Sequence, residues 1–256
     1  FLELRGETDL RLCAFTDPIA ARHARFAQLV LSGSAFPALQ AEGAEVTGSV
    51  FLTGIACPGR LSFVNASLGG QLVLNGATVG ALTAQGARFG ASVQLRAAAG
   101  TPFQASGEVS FANATVDGQL AMDGARLENP AGIALNLQGS RIDGDTILSA
   151  QGPLPFTARG EVRLASAEIS GQLDLSGARL EAAAGRNALA AQRLQVGAEF
   201  FWQDVQVTSG NLHLPSAHVG DLVDDLASWP GDGRSYLDGF TYDRITRGAP
   251  TDAASR

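Results

Sequence analysis

The chain has 256 residues, of which 45% are hydrophobic and 17% are charged, and its formal net charge is −7 at pH 7. This apolar content is sufficient for a core and excludes a disordered chain. The negative charge argues against broad attraction to nucleic-acid phosphates or anionic lipid headgroups. The length fits two ordinary domains or one large repeat domain.

Cysteine content and hydropathy add two exclusions. Cys13 and Cys57 form no Cys-x-x-Cys pair, so we expect no disulfide framework and favour a reducing compartment. The 27 uncharged residues between Arg60 and Arg88 are long enough to suggest a membrane span. They include five glycines, however, and their apolar residues alternate, which predicts half-buried strands instead.

An internal repeat of about 50 residues dominates the chain and runs in four copies from about residue 8 to residue 209. Three copies contain a phrase that begins Gly-Gln-Leu, at 70–77, 118–125 and 171–178, with spacings of 48 and 53 residues. Residues 211–219 look like a last, partial copy. A period of this length is typical of a solenoid and is not required by a β-sandwich, the rival architecture.

Each copy contains the finer pattern Gly-x-Leu-x-Leu-x-Gly-Ala-x-Val, whose alternation predicts very short strands with one face inward. Glycine supplies the corners, and alanine at interior positions suits a narrow lumen. The fold class is therefore all-β, a right-handed parallel β-helix in which each copy forms two turns. Eight to nine turns would make a rod about 40 Å long.

Insertions between the predicted strands suggest where a binding side lies. Two matching loops, at 100–106 and 152–158, each carry a Pro-Phe pair, and two further insertions lie at 128–133 and 181–187. We expect Phe103 and Phe156 to belong to an interaction surface; the alternative is that they fold back over the exterior of the β-helix.

The Gly-Ala rhythm ends after residue 219, and large aromatic residues follow. We therefore divide the chain into a β-helix at 1–220, a C-terminal cap at 221–245 and a flexible tail at 246–256. Repeats end safely only where an atypical segment covers the last strand edge. The cap residues Trp229, Tyr236, Phe240 and Tyr242 complete the candidate interaction surface.

The repeats resemble those of right-handed parallel β-helix proteins, a group that includes pentapeptide-repeat proteins and bactofilins. A more specific resemblance lies in Trp229-Pro230 and the segment Leu237-Asp238-Gly239-Phe240-Thr241-Tyr242-Asp243-Arg244-Ile245. This ending is similar to that of repeats in an uncharacterised family of membrane-associated bacterial proteins. The resemblance implies that the chain is the N-terminal portion of a longer, membrane-linked protein. The five-residue period of pentapeptide repeats is not kept, so their gyrase-mimic role does not transfer.

Two sets of residues invite a chemical interpretation. His213 and His218, with Asp221, Asp224 or Asp225, could hold a metal ion, although surface positions on the last strands explain both histidines. Asp143 and Asp145 form the tight acidic pair that a polysaccharide lyase or hydrolase would need, but an acidic turn beside glycine explains them as well. We expect no catalytic residue, no cofactor and no metal.

The sequence thus predicts a non-enzymatic scaffold or sensor module that binds a protein partner or a further region of its own chain. Nucleic acid is not an expected partner, and membrane association would come only through segments outside these residues. The expected location is the cytoplasmic side of a bacterial membrane. Two alternatives stay open: a carbohydrate-active enzyme and a self-assembling, bactofilin-like filament.

Overall fold

The protein is a parallel β-solenoid of about ten turns, seen in a computed structural model that describes residues 3–231 and 233–246. The described residues contain no α-helix and one short 3₁₀ segment, Leu226–Ser228. The all-β class and the parallel solenoid are confirmed. There are more turns than the expected eight to nine, because parallel strands continue beyond residue 219.

The strands are short, and most contain two residues. In chain order the first fifteen are β1 (Glu3–Asp9), β2 (Ile19–Ala20), β3 (Arg25–Val30), β4 (Leu39–Gln40), β5 (Glu45–Val46), β6 (Val50–Phe51), β7 (Ala56–Ser62), β8 (Ser67–Leu68), β9 (Leu72–Val73), β10 (Thr78–Thr83), β11 (Arg88–Phe89), β12 (Val93–Gln94), β13 (Gln104–Ala105), β14 (Val109–Ser110) and β15 (Thr115–Val116). The others are β16 (Leu120–Ala121), β17 (Arg126–Asn136), β18 (Arg141–Ile142), β19 (Thr146–Ile147), β20 (Thr157–Arg163), β21 (Glu168–Ile169), β22 (Leu173–Asp174), β23 (Arg179–Glu181), β24 (Asn187–Ala190), β25 (Gln195–Trp202), β26 (Gln206–Ser209), β27 (Asn211–His213), β28 (His218–Asp224), β29 (Ser235–Tyr236) and β30 (Thr241–Ile245).

Parallel pairing from turn to turn shows how much chain one turn uses. Arg88 pairs with Ser67 in the preceding turn and with Thr115 in the following turn. The interval from Ser67 to Thr115 equals the spacing between the Gly-Gln-Leu phrases at 70–77 and 118–125. One copy of the repeat is therefore two turns, as predicted.

Between Arg88 and Gln195, two kinds of insertion alternate from turn to turn. Tight excursions closed by the bridges Ala98–Thr101 and Gln151–Leu154 lie in the turns that begin at Arg88 and Arg141. The intervening turns carry the insertions at 128–133 and 181–187, at a different corner. The insertions therefore lie on two separate sides of the solenoid and do not define one binding face.

One corner of the solenoid needs a left-handed backbone in each turn. Asn65 and Asn113 have φ values of 54° and 55°, and Gly86 and Gly139 alternate with them. A Cβ atom at Gly86 would lie 2.5 Å from Oδ1 of Asn65. Asparagine tolerates this backbone region better than most residues. The two asparagines therefore form this corner in turns where glycine does not.

The lumen alternates large and small side chains along its axis. Phe103 and Phe156 are fully buried, and they stack in one column with Ala77, Ala125 and Ala178. A phenylalanine fits a narrow, close-packed interior only where its neighbours in the stack are small. The prediction that these two residues belong to an interaction surface is corrected, and so is the alternative that they cover the exterior.

Cysteine reactivity offers a direct check of this inward orientation. The Cys57 side chain is fully buried, and burial raises the pKa of its thiol to about 11, whereas Cys13 is partly exposed. Because the thiolate is the reactive species, we expect a disulfide reagent such as Ellman's reagent to modify one thiol per native chain. A Cys13→Ser variant should stay unmodified until it is unfolded. Rapid native modification of Cys57 in that variant would contradict the inward orientation.

Candidate functional site

The C-terminal end of the solenoid presents free strand edges. Within residues 3–231 and 233–246, β29 pairs only with β27, and β30 pairs only with β28. Each of these strands therefore has a row of backbone N–H and C=O groups without a strand neighbour. Such an edge is a template for another chain segment.

The inward side chains of this last turn are covered on one side only. Val219 and Leu222, one turn earlier, are 0% and 2% exposed. Their partners in register are Tyr242, which is 41% exposed, and the partly buried Ile245. Burial of a large apolar side chain contributes about 1.5–3 kcal/mol, so this half-covered layer favours an additional covering segment.

Exposed large hydrophobic side chains are concentrated at the same end. Outside it, one such residue lies among the described side chains, Leu12 near the other end of the rod. The remaining four are Leu226, Tyr236, Leu237 and Tyr242. We call these four residues, together with Phe240 and Ile245, the end face. Grouped exposure of this kind marks interaction surfaces.

A tightly bonded loop lies beside the end face. The indole Nε1 of Trp202 donates to the carbonyl of Ser228 at 3.1 Å, and that of Trp229 donates to Oδ2 of Asp224 at 2.8 Å. The two indole rings lie 5.6 Å apart. Trp202 is fully buried and Trp229 partly buried. Within the loop, Trp229 thus packs against Trp202 and also leaves part of its side chain exposed.

The Asp225 carboxylate holds this loop in place. Its Oδ2 accepts from the backbone N–H of Asp204 at 2.7 Å and from the hydroxyl of Ser228 at 2.8 Å. Burial alone would raise the pKa of Asp225, but these hydrogen bonds outweigh it, and the pKa lies below its ordinary value of 3.8. The ionised carboxylate is therefore the form that the fold favours.

This carboxylate predicts a pH dependence of stability. Because the folded pKa of Asp225 is lowered, its contribution is fully present above the unfolded pKa, about 4, and is lost as the pH falls through the folded pKa. We expect Asp225→Asn to lower the free energy of unfolding by about 1–2 kcal/mol at pH 7 and by much less at pH 3. Urea denaturation at both pH values measures this difference. The exposed Asp117→Asn serves as control, and an equal loss at both pH values would contradict the role of the charge.

The expected boundary between β-helix and cap is crossed by hydrogen-bonded structure. Strand β28 extends from His218 to Asp224 in register with β25. Further on, β29 and β30 continue the parallel stack. The segment 221–245 therefore forms the last turn of the solenoid together with an outward loop, and its role in covering the rod stays a prediction. The predicted tail at 246–256 lies, apart from Thr246, outside the described residues.

The structure places four of the six residues predicted for an interaction surface at the C-terminal end of the solenoid. Tyr236 and Tyr242 are exposed at the end face, Phe240 is partly buried beside Tyr242 with ring centres 6.4 Å apart, and Trp229 lies in the adjoining loop. Phe103 and Phe156 lie elsewhere, in the lumen. The sequence prediction missed Leu237 and Ile245, although each lies 23 residues after an apolar residue of the partial last copy or the segment behind it, Leu214 and Leu222 respectively.

The two histidines near this end do not form a metal site. His213 lies on β27 with its ring 5.9 Å from that of Tyr236, and His218 lies on β28 with Nδ1 3.0 Å from Oγ1 of Thr241. These two strands belong to different sheets. Among the residues that the structure describes, no three His, Cys, Asp or Glu side chains are grouped to hold a metal ion.

Asp143 and Asp145 make separate contacts. Nε of Arg141 donates to Asp143 at 3.1 Å on an exposed surface. Oδ1 of Asp145 accepts from the backbone N–H of Gln172 at 3.0 Å. Ser49 and Ser92 make the same contact to the next turn elsewhere in the rod. Asp145 thus satisfies a backbone donor at a repeated corner.

A polar depression of about 280 Å³ lies on the outer face of the sheet around β10. Its lining includes Arg60, Thr83, Gln85, Glu108 and Ser110. Glu108 is the single carboxylate among the lining residues, and it accepts from Nδ2 of Asn136 at 2.9 Å. Glycoside hydrolysis ordinarily uses two facing carboxyl groups, so this depression lacks that arrangement.

No helix in the described part of the chain is long and apolar enough to cross a membrane. Comparisons of the chain with protein-family models, with curated proteins and with solved structures find no match.

Proposed function

We propose that this protein is a non-enzymatic scaffold or sensor module that binds a protein partner through its C-terminal end face. The observation that carries the proposal is the half-covered core layer of the last turn. Tyr242 and Leu237 are 41% and 38% exposed, whereas Val219, one turn earlier, is fully buried. A covering segment would bury these side chains and pair the free edges of β29 and β30.

The contacts of the acidic residues favour a scaffold over the carbohydrate-active alternative. Asp143 is paired with Arg141, and Asp145 binds a backbone N–H, so the pair does not face one substrate position. Catalysis by two carboxylates requires both to flank the scissile bond. An enzyme of this class would need another, less obvious pair.

A filament is the other alternative, and the uneven distribution of apolar surface argues against it. Head-to-tail assembly buries complementary surfaces at both ends of the rod. Four of the five exposed large hydrophobic side chains in the described part lie at the C-terminal end, and only Leu12 lies near the other. Among the described side chains, exposed apolar surface thus favours docking at the C-terminal end.

The partner that we propose is membrane-linked and places the protein at the cytoplasmic side of a bacterial membrane. This part of the proposal is supported by the resemblance of segment 237–245 to the endings of membrane-associated bacterial proteins. It requires no span within the residues described above. Nucleic acid is not a proposed partner, because the net charge is −7.

Site-specific photo-crosslinking tests the end face. A photoreactive phenylalanine analogue replaces Tyr236 in cells that produce the protein, and we expect one discrete crosslinked species. The substitutions Leu237→Asp and Tyr242→Asp should abolish that species without unfolding the chain. Leu12→Asp, at the opposite end, is the matched control and should leave it unchanged.

The same experiment can contradict the proposal. A crosslinked species that survives both aspartate substitutions, or one obtained only from position 12, would move the interaction away from the end face. Depolymerisation of a polysaccharide by the wild-type protein, lost in Asp143→Asn, would establish the enzymatic alternative instead.

A further inference from the structure

One column of strands in the solenoid stops a turn before its neighbours. Parallel pairing runs without a gap from Thr78 through Gln104, Arg126, Thr157 and Arg179 to Gln206 in β26. Among the described residues, β26 pairs with β23 alone. The flanking columns continue for another turn as β29 and β30. The position next to β26 is therefore a missing strand.

The sequence explains why the chain leaves this position. After β28, residues 226–228 form a 3₁₀ turn, and Pro230 follows Trp229. Proline has no N–H to donate to a ladder, so this segment cannot extend the column. Instead it lies outside the column, where Ser228 is fixed by Asp225 and Trp202.

A groove of about 400 Å³ occupies the place of the missing strand. One wall is β26 with Val205, and the other is the loop that carries Trp229 and Pro230. Arg234 is the charged side chain among the described lining residues, and its Nη1 donates to the carbonyl of Gly210 at 3.2 Å.

The backbone of β26 is oriented to bind in this groove. In a parallel ladder, one residue bonds to one neighbouring strand and the next residue to the other. The N–H of Gln206 donates to the carbonyl of Ala178 at 2.9 Å, which directs Gln206 toward β23. The N–H and C=O of Val207 therefore face the groove.

The incomplete burial of the Val207 side chain also indicates that a strand is missing beside β26. Leu180, its partner in register one turn earlier, is fully buried in the lumen. Val207 is only partly buried, although it points inward and packs against the core. An occupant with an apolar side chain at this register would cover Val207, as Val207 covers Leu180.

We infer that this groove binds an extended segment of a partner protein by addition of a parallel strand to β26. The segment matches β26 in length, and it carries an inward apolar residue beside an acidic one. The apolar residue covers Val207, and the acidic residue complements Arg234. This inference deepens the proposed function and rests on it.

A peptide copied from β23, which pairs with the opposite edge of β26, is the appropriate probe. Residues 178–182, Ala-Arg-Leu-Glu-Ala, lie in the same column two turns before the vacant position and contain both an apolar and an acidic residue. We expect this peptide, acetylated, amidated and carrying a fluorophore, to bind the full chain in a fluorescence anisotropy titration. Methylation of its arginine amide nitrogen alters the backbone alone. In this register that nitrogen would donate to the carbonyl of Val205, as Gln206 donates to Ala178, so we expect the methylated peptide to bind at least tenfold more weakly.

Two substitutions at one position locate the peptide. Val207→Pro removes the donor that faces the groove and leaves the hydrogen bond of Gln206 intact, and we expect a loss of at least tenfold. Val207→Asp is the second variant, which keeps the test valid if the proline variant misfolds. It retains the backbone donor and places a charge at the apolar contact. Gln206→Ala is the matched control, because its backbone faces β23, and it should bind as the wild type does.

Three results would overturn the inference. The first is no binding of the peptide to the folded protein, and the second is binding that neither Val207 substitution changes. The third is a wild-type dimer in sedimentation velocity that Val207→Pro makes monomeric, since a second copy would then be the occupant. In the first two cases, a crosslink from position 236 that persists would still support an interaction at the end face. The failure of this inference is thereby distinguished from a failure of the proposed function.

Discussion

Truncation after Gly220 is expected to lower the melting temperature by about 10 °C or more and to convert a monodisperse protein into oligomers or aggregate. The cut removes Trp229, which packs on Trp202, and divides β28. It also removes β29 and β30. Each large apolar contact contributes about 1.5–3 kcal/mol, and 1 kcal/mol corresponds to about 2–4 °C for a domain of this size. The uncovered edge of β25 would then be open to other chains.

Differential scanning calorimetry and light scattering coupled to gel filtration measure both effects. Truncation after Thr246 is the matched control, since it retains every strand found in the described part of the chain, and it should remain monodisperse with an unchanged melting temperature. If the chain that ends at Gly220 behaves like this control, the segment 221–245 is a linker and does not protect the rod.

The second large effect is expected from Phe156→Ala in the lumen. Phe156 is fully buried between Ala125 and Ala178, so neither neighbour can fill the resulting cavity. Replacement of a buried phenylalanine by alanine costs about 3–5 kcal/mol. Phe103→Ala should behave alike, because Phe103 lies between Ala77 and Ala125.

Urea denaturation measures the loss, and Phe201→Ala supplies the control. Phe201 follows the inward Phe200 on β25 and is only partly buried, on the outer side of the sheet. We expect a loss of about 1 kcal/mol or less there. A loss below about 1 kcal/mol for both Phe103→Ala and Phe156→Ala would contradict their place in the lumen.

The sequence was sufficient for the architecture because the repeat itself carries the information. A pattern that returns after 48 and 53 residues places the same side chain at the same depth in each copy. The interior positions of the alanines followed from this register. The direction of Phe103 did not, because the excursion at Ala98–Thr101 interrupts the alternation from which inward positions are read.

The C-terminal site was predictable in composition but not in geometry. The cluster of Trp229, Tyr236 and Tyr242 stands out in the sequence after residue 200. The groove beside β26 could not be found in this way. It is the space that remains where one column of paired strands ends a turn before its neighbours, and no residue of the sequence marks that space. The effect of Pro230 becomes evident only once the paired residues of that column are known.

The alternation of insertions between turns has a consequence for how such a rod changes in length. Thr115 and Glu168 occupy the same column two turns apart, and each begins a turn with the second kind of insertion, at 128–133 and at 181–187. Excision of residues 115–167 would join Ala114 to Glu168, so the turn with the Ala98–Thr101 excursion would again be followed by a turn with the other kind of insertion. Removal of a single turn would instead place two excursions, or two of the other insertions, at adjacent levels of the same corner. The rod is therefore suited to grow or shrink by duplication or deletion of a two-turn module, and its two ends can stay unchanged while the distance between them is adjusted.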